Sequence, residues 1–505
     1  MNKLPSVAGV ALTLLALAPS ARAAGTLVLP APGVEKTIVV DRTLRVDRDL
    51  RVPPEVSLRV ERGGRLWIGP GVTLTVDGGL EAGPYPVFTG PGKIAGTPQV
   101  AAVLPEWLAG LGRKGADSNP DDWAPAINRA IELARDGCRC VRLQTRRYTV
   151  KSAVDLTSRP TRVLADMRLE GSLRSTEYEY GTLLVGETGP GNCVIDTSDS
   201  DGIHLKDLGI VRGKLHPSTI GLLQARGTGT GWAGDQFHEN LYIDLGSDPS
   251  ANGGFGTIGV IDVAGEETRW QNLQVWANLP LALTWSGGMM CTQPDLNSQR
   301  SFTVPTRPGG VRPVETGSNT VLSLTGLGRL IAYDDISPIV LINCAGTVDL
   351  GDVFMQRRPS GQAGITPGKY RYAIENWNCY GFRHFGSIEG AASYMLCRRD
   401  LSEADVNVRM AGVGETELPV IQLCNDGGDY AVSDCRFIFN LLDDKRPLIT
   451  VLRRYGGPDI PFALRNNSFH CNLPAAIGGR GLAVLRPRMS GNEIFFRDGR
   501  DGPNG

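Results

Sequence analysis

Excess charge of either sign is missing from this chain. Its 52 Lys and Arg nearly cancel its 53 Asp and Glu, leaving a formal net charge of −1. Whole-protein attraction to nucleic acid or to an anionic membrane is therefore not expected. Long apolar runs are scarce too. The Val7 to Ala18 stretch is short for a membrane span, which needs about 20 residues, so no membrane insertion is expected. Gly-rich phosphate loops, nucleophile elbows and His-Glu-x-x-His zinc helices are also absent from the sequence. Those three gaps remove nucleotide, Ser-hydrolase and zinc-protease chemistries from the first rank.

What is present is one clear helix followed by many short strands. Trp123, Ile127, Ala130, Ile131 and Ala134 fall at i, i+4, i+7, i+8 and i+11, one face of a 3.6-residue period. Asp121 or Asp122 can cap this helix near 121–136, Pro125 fits its first turn, and Gly137 suits its C-terminal end. Beyond it come runs such as Met167-Arg168-Leu169, Ile203-His204-Leu205, Leu241-Tyr242-Ile243, Val340-Leu341-Ile342 and Phe437-Ile438-Phe439. Strands this short, punctuated by turns that the 64 Gly supply, suit the coils of a solenoid better than a two-domain sandwich. The expected fold class is all-β: a single-stranded right-handed parallel β-helix with an N-terminal capping α-helix.

A resemblance strengthens that expectation. Pro105-Glu106-Trp107-Leu108, the Asp121-Asp122 helix start and the strand Tyr148-Thr149-Val150 resemble the cap region of the pectate-lyase-like superfamily of right-handed parallel β-helices. The likeness is to its polygalacturonase, rhamnogalacturonase and tailspike-related branch. Relatives carry Gly on both sides of the loop Asp, whereas this chain reads Ala116-Asp117-Ser118, and it also departs at Leu108 and Trp123. The resemblance implies a glycan-handling fold and is nearly silent on activity. Members' catalytic motifs do not transfer, because Gly-His-Gly and Trp-x-Asp-His are both missing here.

Four regions are expected. Lys3, the Val7 to Ala18 run and Ala21-Arg22-Ala23 read as a secretion signal over 1–23, implying a secreted or periplasmic protein. Residues 24–104 read as an N-terminal β segment, 105–490 as the solenoid and 491–505 as a polar tail. With ~4.8 Å between stacked strands, on the order of fifteen coils would extend about 70 Å. The ten cysteines permit disulfides in such a compartment, one to three bridges rather than a complete set. Cys138-Arg139-Cys140 reads as structural, since no second close Cys/His pair accompanies it.

Glycan cleavage needs two carboxylates across one groove, or a base beside a cation or Arg cluster. The richest constellation holds Asp235, Glu239, Asp262, Glu266, Glu267 and Arg269 as candidate catalytic residues. Trp232, His238 and Trp270 stand beside them as candidate substrate-binding residues, the Trp rings as sugar platforms. The plain alternative is a set of solvated turn residues. A second cluster, Asp196, Asp199 and Asp201 with His204 and Lys206, reads first as a turn. A third comprises Asp334, Asp335, Asp349, Asp352, Arg357, Arg358, Glu375, Arg383 and His384. No metal ligand set is assigned, and Ca²⁺ belongs to the lyase alternative.

The expected partner is a polysaccharide. An exported enzyme cleaving glycosidic bonds in an acidic or complex glycan comes first, with hydrolysis ahead of β-elimination because acidic residues crowd the central coils. A uronate epimerase shares the lyase's first step. A non-catalytic glycan-binding or surface-structural solenoid is the other class. Homotrimers occur among related solenoids and are compatible with this one. A tailspike fits poorly with a secretion signal.

Overall fold

Alternation of buried and exposed side chains along short strands shapes the whole chain. The computed structural model describes residues 25–496 with breaks. The breaks are residue 32, 113–120, 159–163, 173–180, 226–234, 247, 249–250, 252–256 and 264–267, much of 285–369, and most links between later strands.

The N-terminal segment passes through three strands and returns. Lys36–Val40, Thr43–Val46 and Leu50–Val52 are followed by Val56–Val60, Arg65–Ile68 and Thr73–Val76. Leu80–Ala82, Phe88–Gly90 and Lys93–Ala95 make the third round. Each strand pairs in parallel with its equivalent in the next round, Lys36 with Val56, Leu66 with Phe88 and Thr73 with Lys93. Every second side chain points inward, so Leu58, Leu66 and Leu74 are fully buried. Parallel neighbours then stack apolar on apolar, and the three short sheets so formed share one buried core.

The periodic segment forms a helix at Ala124–Arg135, with Pro125 in its first turn and Trp123, Ile127, Ala130, Ile131 and Ala134 buried. Asp122 Oδ1 accepts the Ala124 N–H at 3.0 Å and the Lys151 N–H at 3.0 Å, tying the helix start to the end of the strand Arg147–Val150. It is not an N-terminal cap, however. Strands precede it, and Val103 bridges Val141 in parallel, with the Arg142 N–H donating to Val103 O. The strand stacking therefore runs past the helix rather than starting at it.

The Pro-Glu-Trp motif is a structural clamp. Glu106 is buried and accepts a hydrogen bond from the Tyr148 hydroxyl, while Trp107 Nε1 donates to Gly83 O at 3.0 Å. Burial raises the Glu106 carboxyl above its ordinary range.

Beyond the helix the longest ladder passes through twelve strands, beginning Cys140–Arg142, Arg168–Glu170, His204–Arg212, Phe237–Asp244 and Thr268–Ala277. It continues through Leu322–Leu324, Val348–Leu350, Phe382–Glu389, Asp405–Ala411, Arg436–Leu441, Ser468–Cys471 and Glu493–Phe496. A ten-stranded sheet runs beside it, from Val154–Asp155 to Ile449–Arg453. Among the described residues the one antiparallel pair is Gly288–Thr292 with Gln299–Thr303. A sandwich, which is built from antiparallel strands, is thereby excluded.

Corners recur at matching positions. Asp166, Gly202, Asp235, Gly381, Glu403, Asp434 and Asn466 all have positive φ just before a strand of the long ladder, a conformation that Gly, Asn and Asp enter most readily. A second set bends three of the longer strands: Asn240 Nδ2 donates to Asp207 Oδ1 and Asn272 Nδ2 to Asn240 Oδ1, both at 2.8 Å. Cys138, Cys140, Cys193 and Cys435 carry free thiols, so the ten cysteines are not completely paired.

Candidate functional site

Register sorts the candidate residues onto two sides of one sheet. In Phe237–Asp244, Phe237 and Glu239 point outward while His238 points inward, 1% exposed. The next strand repeats this, with Arg269 exposed and Trp270 1% exposed. His238 and Trp270 pair in register, and their rings lie 4.4 Å apart inside the stack. Neither ring offers a face to a sugar, which corrects the expectation that they bind substrate. Burial, with His204 adding to it, drives the His238 imidazole down to about 3, so it is neutral at working pH. Asp262 is 4% exposed in Ile258–Val263 and also lies within the structure. Trp232, Glu266 and Glu267 lie outside the described residues.

The outward side carries the richer chemistry. One column, set by consecutive register pairs, reads Cys140, Arg168, His204, Phe237 and Arg269. Two residues along each strand a second column reads Arg142, Glu170, Lys206, Glu239 and Gln271. In this second column Arg142 reaches Glu170 at 2.6 Å, and Lys206 pairs with Glu239. The His204 and Phe237 rings lie 4.8 Å apart, tilted by 34°. Burial lowers the His204 pKa, Lys206 and Arg168 adding to it and Glu239 opposing, so His204 is a neutral base at physiological pH.

Three aspartates crowd the corner beside these columns. Asp166 ion-pairs with Arg139 at 2.8 Å. A Cβ at Gly202 would stand 2.6 Å from Asp166 Oδ1, so the carboxyl occupies space that only glycine leaves open. Asp201 is half-buried next to it, and Asp235 is exposed on the following coil. Burial raises the Asp201 carboxyl above its ordinary range, and the negative charges of Asp235 and Asp166 raise it further. Asp201 is thus biased toward its protonated form by burial and by the two carboxyl groups beside it.

Sequence reasoning had placed Asp201, His204 and Lys206 in a cluster separate from Asp235, Glu239 and Arg269. The register makes them one surface. Asp196 and Asp199 remain apart: Asp199 is buried at a corner with positive φ, and Asp196 Oδ1 accepts the Ser198 N–H.

The third cluster divides similarly. By register the same column continues through Ser323, Asp349 and Arg383 to Asp405 and Arg436. Glu375 and His384 are buried, His384 Nε2 lying 2.9 Å from Gly351 O and Nδ1 3.1 Å from the Tyr394 hydroxyl. Asp334, Asp335, Asp352, Arg357 and Arg358 lie outside the described residues.

Arg142, Asp166, Arg168, Glu170 and Phe237 are members of this surface that the sequence alone did not single out. Strict two-residue alternation across Arg168-Leu169-Glu170 and Phe237-His238-Glu239 was the available signal.

No family model, curated protein or solved structure matches this chain. The parallel ladders are compatible with a β-helix.

Among the described residues no group of three His, Cys, Asp or Glu side chains is arranged to hold a metal ion, and no helix is long and apolar enough to cross a membrane. Chemically, the outward surface combines a carboxyl of raised proton affinity, a second and exposed carboxyl, and a neutral imidazole with Arg168 on one side and Phe237, then Arg269, on the other.

Proposed function

We propose that this chain is an exported polysaccharide-active enzyme built as a single right-handed parallel β-helix, cleaving glycosidic bonds in an acidic or complex glycan. The observation that carries the reading is the raised Asp201 carboxyl beside exposed Asp235 on the outward face that also holds His204, Phe237 and Arg269. In this reading Asp201 protonates the leaving glycosidic oxygen as the bond to the anomeric carbon breaks. Asp235, on the next coil, activates a water or attacks the anomeric carbon itself. Coils ~4.8 Å apart suit the ~5–10 Å carboxyl separations that glycosidases use. Phe237 offers an apolar ring to the sugar, and Arg168 and Arg269 attract acidic substituents.

His204 supports a second reading. A neutral imidazole with the Arg168 guanidinium beside it is equipped to take the proton beside a uronate carboxyl, the first step of a lyase or epimerase. Purified protein against a panel of uronic-acid and neutral polysaccharides separates these, following reducing ends and the ultraviolet absorbance of an unsaturated uronate together. New reducing ends without absorbance mean hydrolysis, and with absorbance β-elimination. Asp201→Asn is expected to cut turnover about 10²–10⁴-fold under hydrolysis while leaving thermal unfolding in place. Full activity in Asp201→Asn and Asp235→Asn would remove the hydrolytic assignment. Binding without turnover across the panel would make this a glycan-binding solenoid instead.

A further inference from the structure

Farther along the same outward face lies an aromatic side chain that the fold does not use. In Phe382–Glu389 the alternation puts Phe382 and His384 inside and Arg383 and Phe385 outside. Phe385 is 49% exposed. Isolated exposed apolar residues are ordinary, so the surroundings must decide. On one side the ladder pairs Leu350 with His384 and resumes with Val353 beside Ile388, so among the described residues no strand partner stands opposite Phe385. On the other side the register partner is Asn407, exposed and amide-bearing. Arg383 on the same strand, with Asp349 and Asp405 as its register partners, and Arg409 on the next strand, beside Ser387, are both exposed. One ring, one amide and two guanidiniums thus share a patch of backbone held rigid in a parallel ladder.

We propose that Phe385 is the stacking platform of a second saccharide-binding surface, which holds a carboxylate-bearing glycan through Arg383, Arg409 and Asn407. It rests on the reading of the chain as a polysaccharide-active protein and lies outside the cleaving residues. Sugar rings pack their C–H faces on aromatic rings, amides bond ring hydroxyls, and guanidiniums pair with carboxylates in bidentate fashion. The register path from Phe237 through Arg269, Ser323 and Asp349 to Arg383 takes four strand steps, or about 19 Å along the stack. A chain laid along the stack would touch both surfaces, so long polymer gains an anchor that a short oligosaccharide does not reach.

The test is affinity electrophoresis of the full chain in gels containing polygalacturonate, with neutral dextran as the comparison, alongside turnover of a short oligosaccharide. Wild type and Phe385→Tyr are expected to be retarded by polygalacturonate. Phe385→Ala is expected to bind about five-fold more weakly with oligosaccharide turnover unchanged. Equal retardation of wild type and Phe385→Ala would overturn the platform while leaving the cleaving site untouched. Equal retardation by dextran would overturn the acidic ligand. A Phe385-dependent dimer in sedimentation, with no effect on retardation, would make this face a contact between copies and also overturn the proposal. Phe385-dependent retardation in a protein inactive on every glycan would sink the enzyme reading alone.

Discussion

Two histidine–aromatic pairs sit one strand apart and meet opposite fates. The His204 and Phe237 rings lie 4.8 Å apart on the outward side, and the His238 and Trp270 rings 4.4 Å apart on the inward side. Both pairs are register partners in the same ladder. The residue types are nearly the same, and only parity along the strand differs. Outside, the imidazole keeps charged neighbours, Glu239, Lys206 and Arg168, that tune its proton affinity. Inside, burial dominates and His238 is a neutral packing group. A histidine beside an aromatic is therefore no evidence for a site until its side of the sheet is known.

The largest test of this contrast is truncation of the two rings. Trp270→Ala removes a fully buried side chain and leaves a void that flanking coils cannot close, so a loss of about 3–5 kcal/mol is expected. Phe237→Ala, on the outward side, is expected to cost about 1 kcal/mol or less in stability and to weaken glycan binding. Urea unfolding of the two variants measures the first difference. Equal losses would mean that Phe237 is as much part of the core as Trp270.

Acid sharpens the contrast next. His238 has a folded pKa near 3 against an ordinary value of 6.5, so the unfolded chain binds the proton more readily. Its contribution to stability is complete above about pH 6.5 and is lost progressively as pH falls toward 3. Replacing His238 with Gln is expected to flatten the stability–pH curve across that window by roughly 1 kcal/mol or more. Denaturant midpoints at pH 7, 5.5 and 4.5 would show it. The same replacement at His204, whose neighbours include Glu239, is expected to change the slope less. An unchanged slope in His238→Gln would show that the inner imidazole reaches water.

The helix was legible because its period is local. Trp123 to Ala134 repeats within a dozen residues, and neither Asp122 nor Pro125 needs a distant partner to be read. The strands were legible as apolar runs for the same reason. Which side a residue takes was not, because it depends on register between coils whose spacing varies: Leu205 pairs with His238, but Thr268 pairs with Leu322 across a long insertion. Positive-φ corners at Asp207, Asn240 and Asn272 also reset the alternation inside single strands. Trp270 and His238 were read as substrate-binding from their chemistry, and parity overruled it. Asp201 and Asp235 were read in separate clusters, although stacking makes them neighbours. The helix, likewise, looked like the start of the stack because its own sequence says nothing of Val103 pairing with Val141.

The smallest effect expected is at the ion pairs of the outward column. Lys206 and Glu239 are register partners whose side chains form a salt bridge, with Lys206 38% exposed. Solvent screens such a pair, so Glu239→Gln is expected to cost about 1 kcal/mol or less, and less again in high salt. Its more informative consequence is at His204. The negative charge of Glu239 holds the His204 pKa up against burial, so its removal should lower that pKa further. The His204 ring protons, followed by NMR through a pH titration, should therefore shift at lower pH in Glu239→Gln than in wild type, while the His238 signals stay those of a neutral ring throughout. If His204 titrated unchanged, the outward imidazole would be governed by burial alone, and the distinction between the two histidine–aromatic pairs would reduce to exposure without any electrostatic tuning.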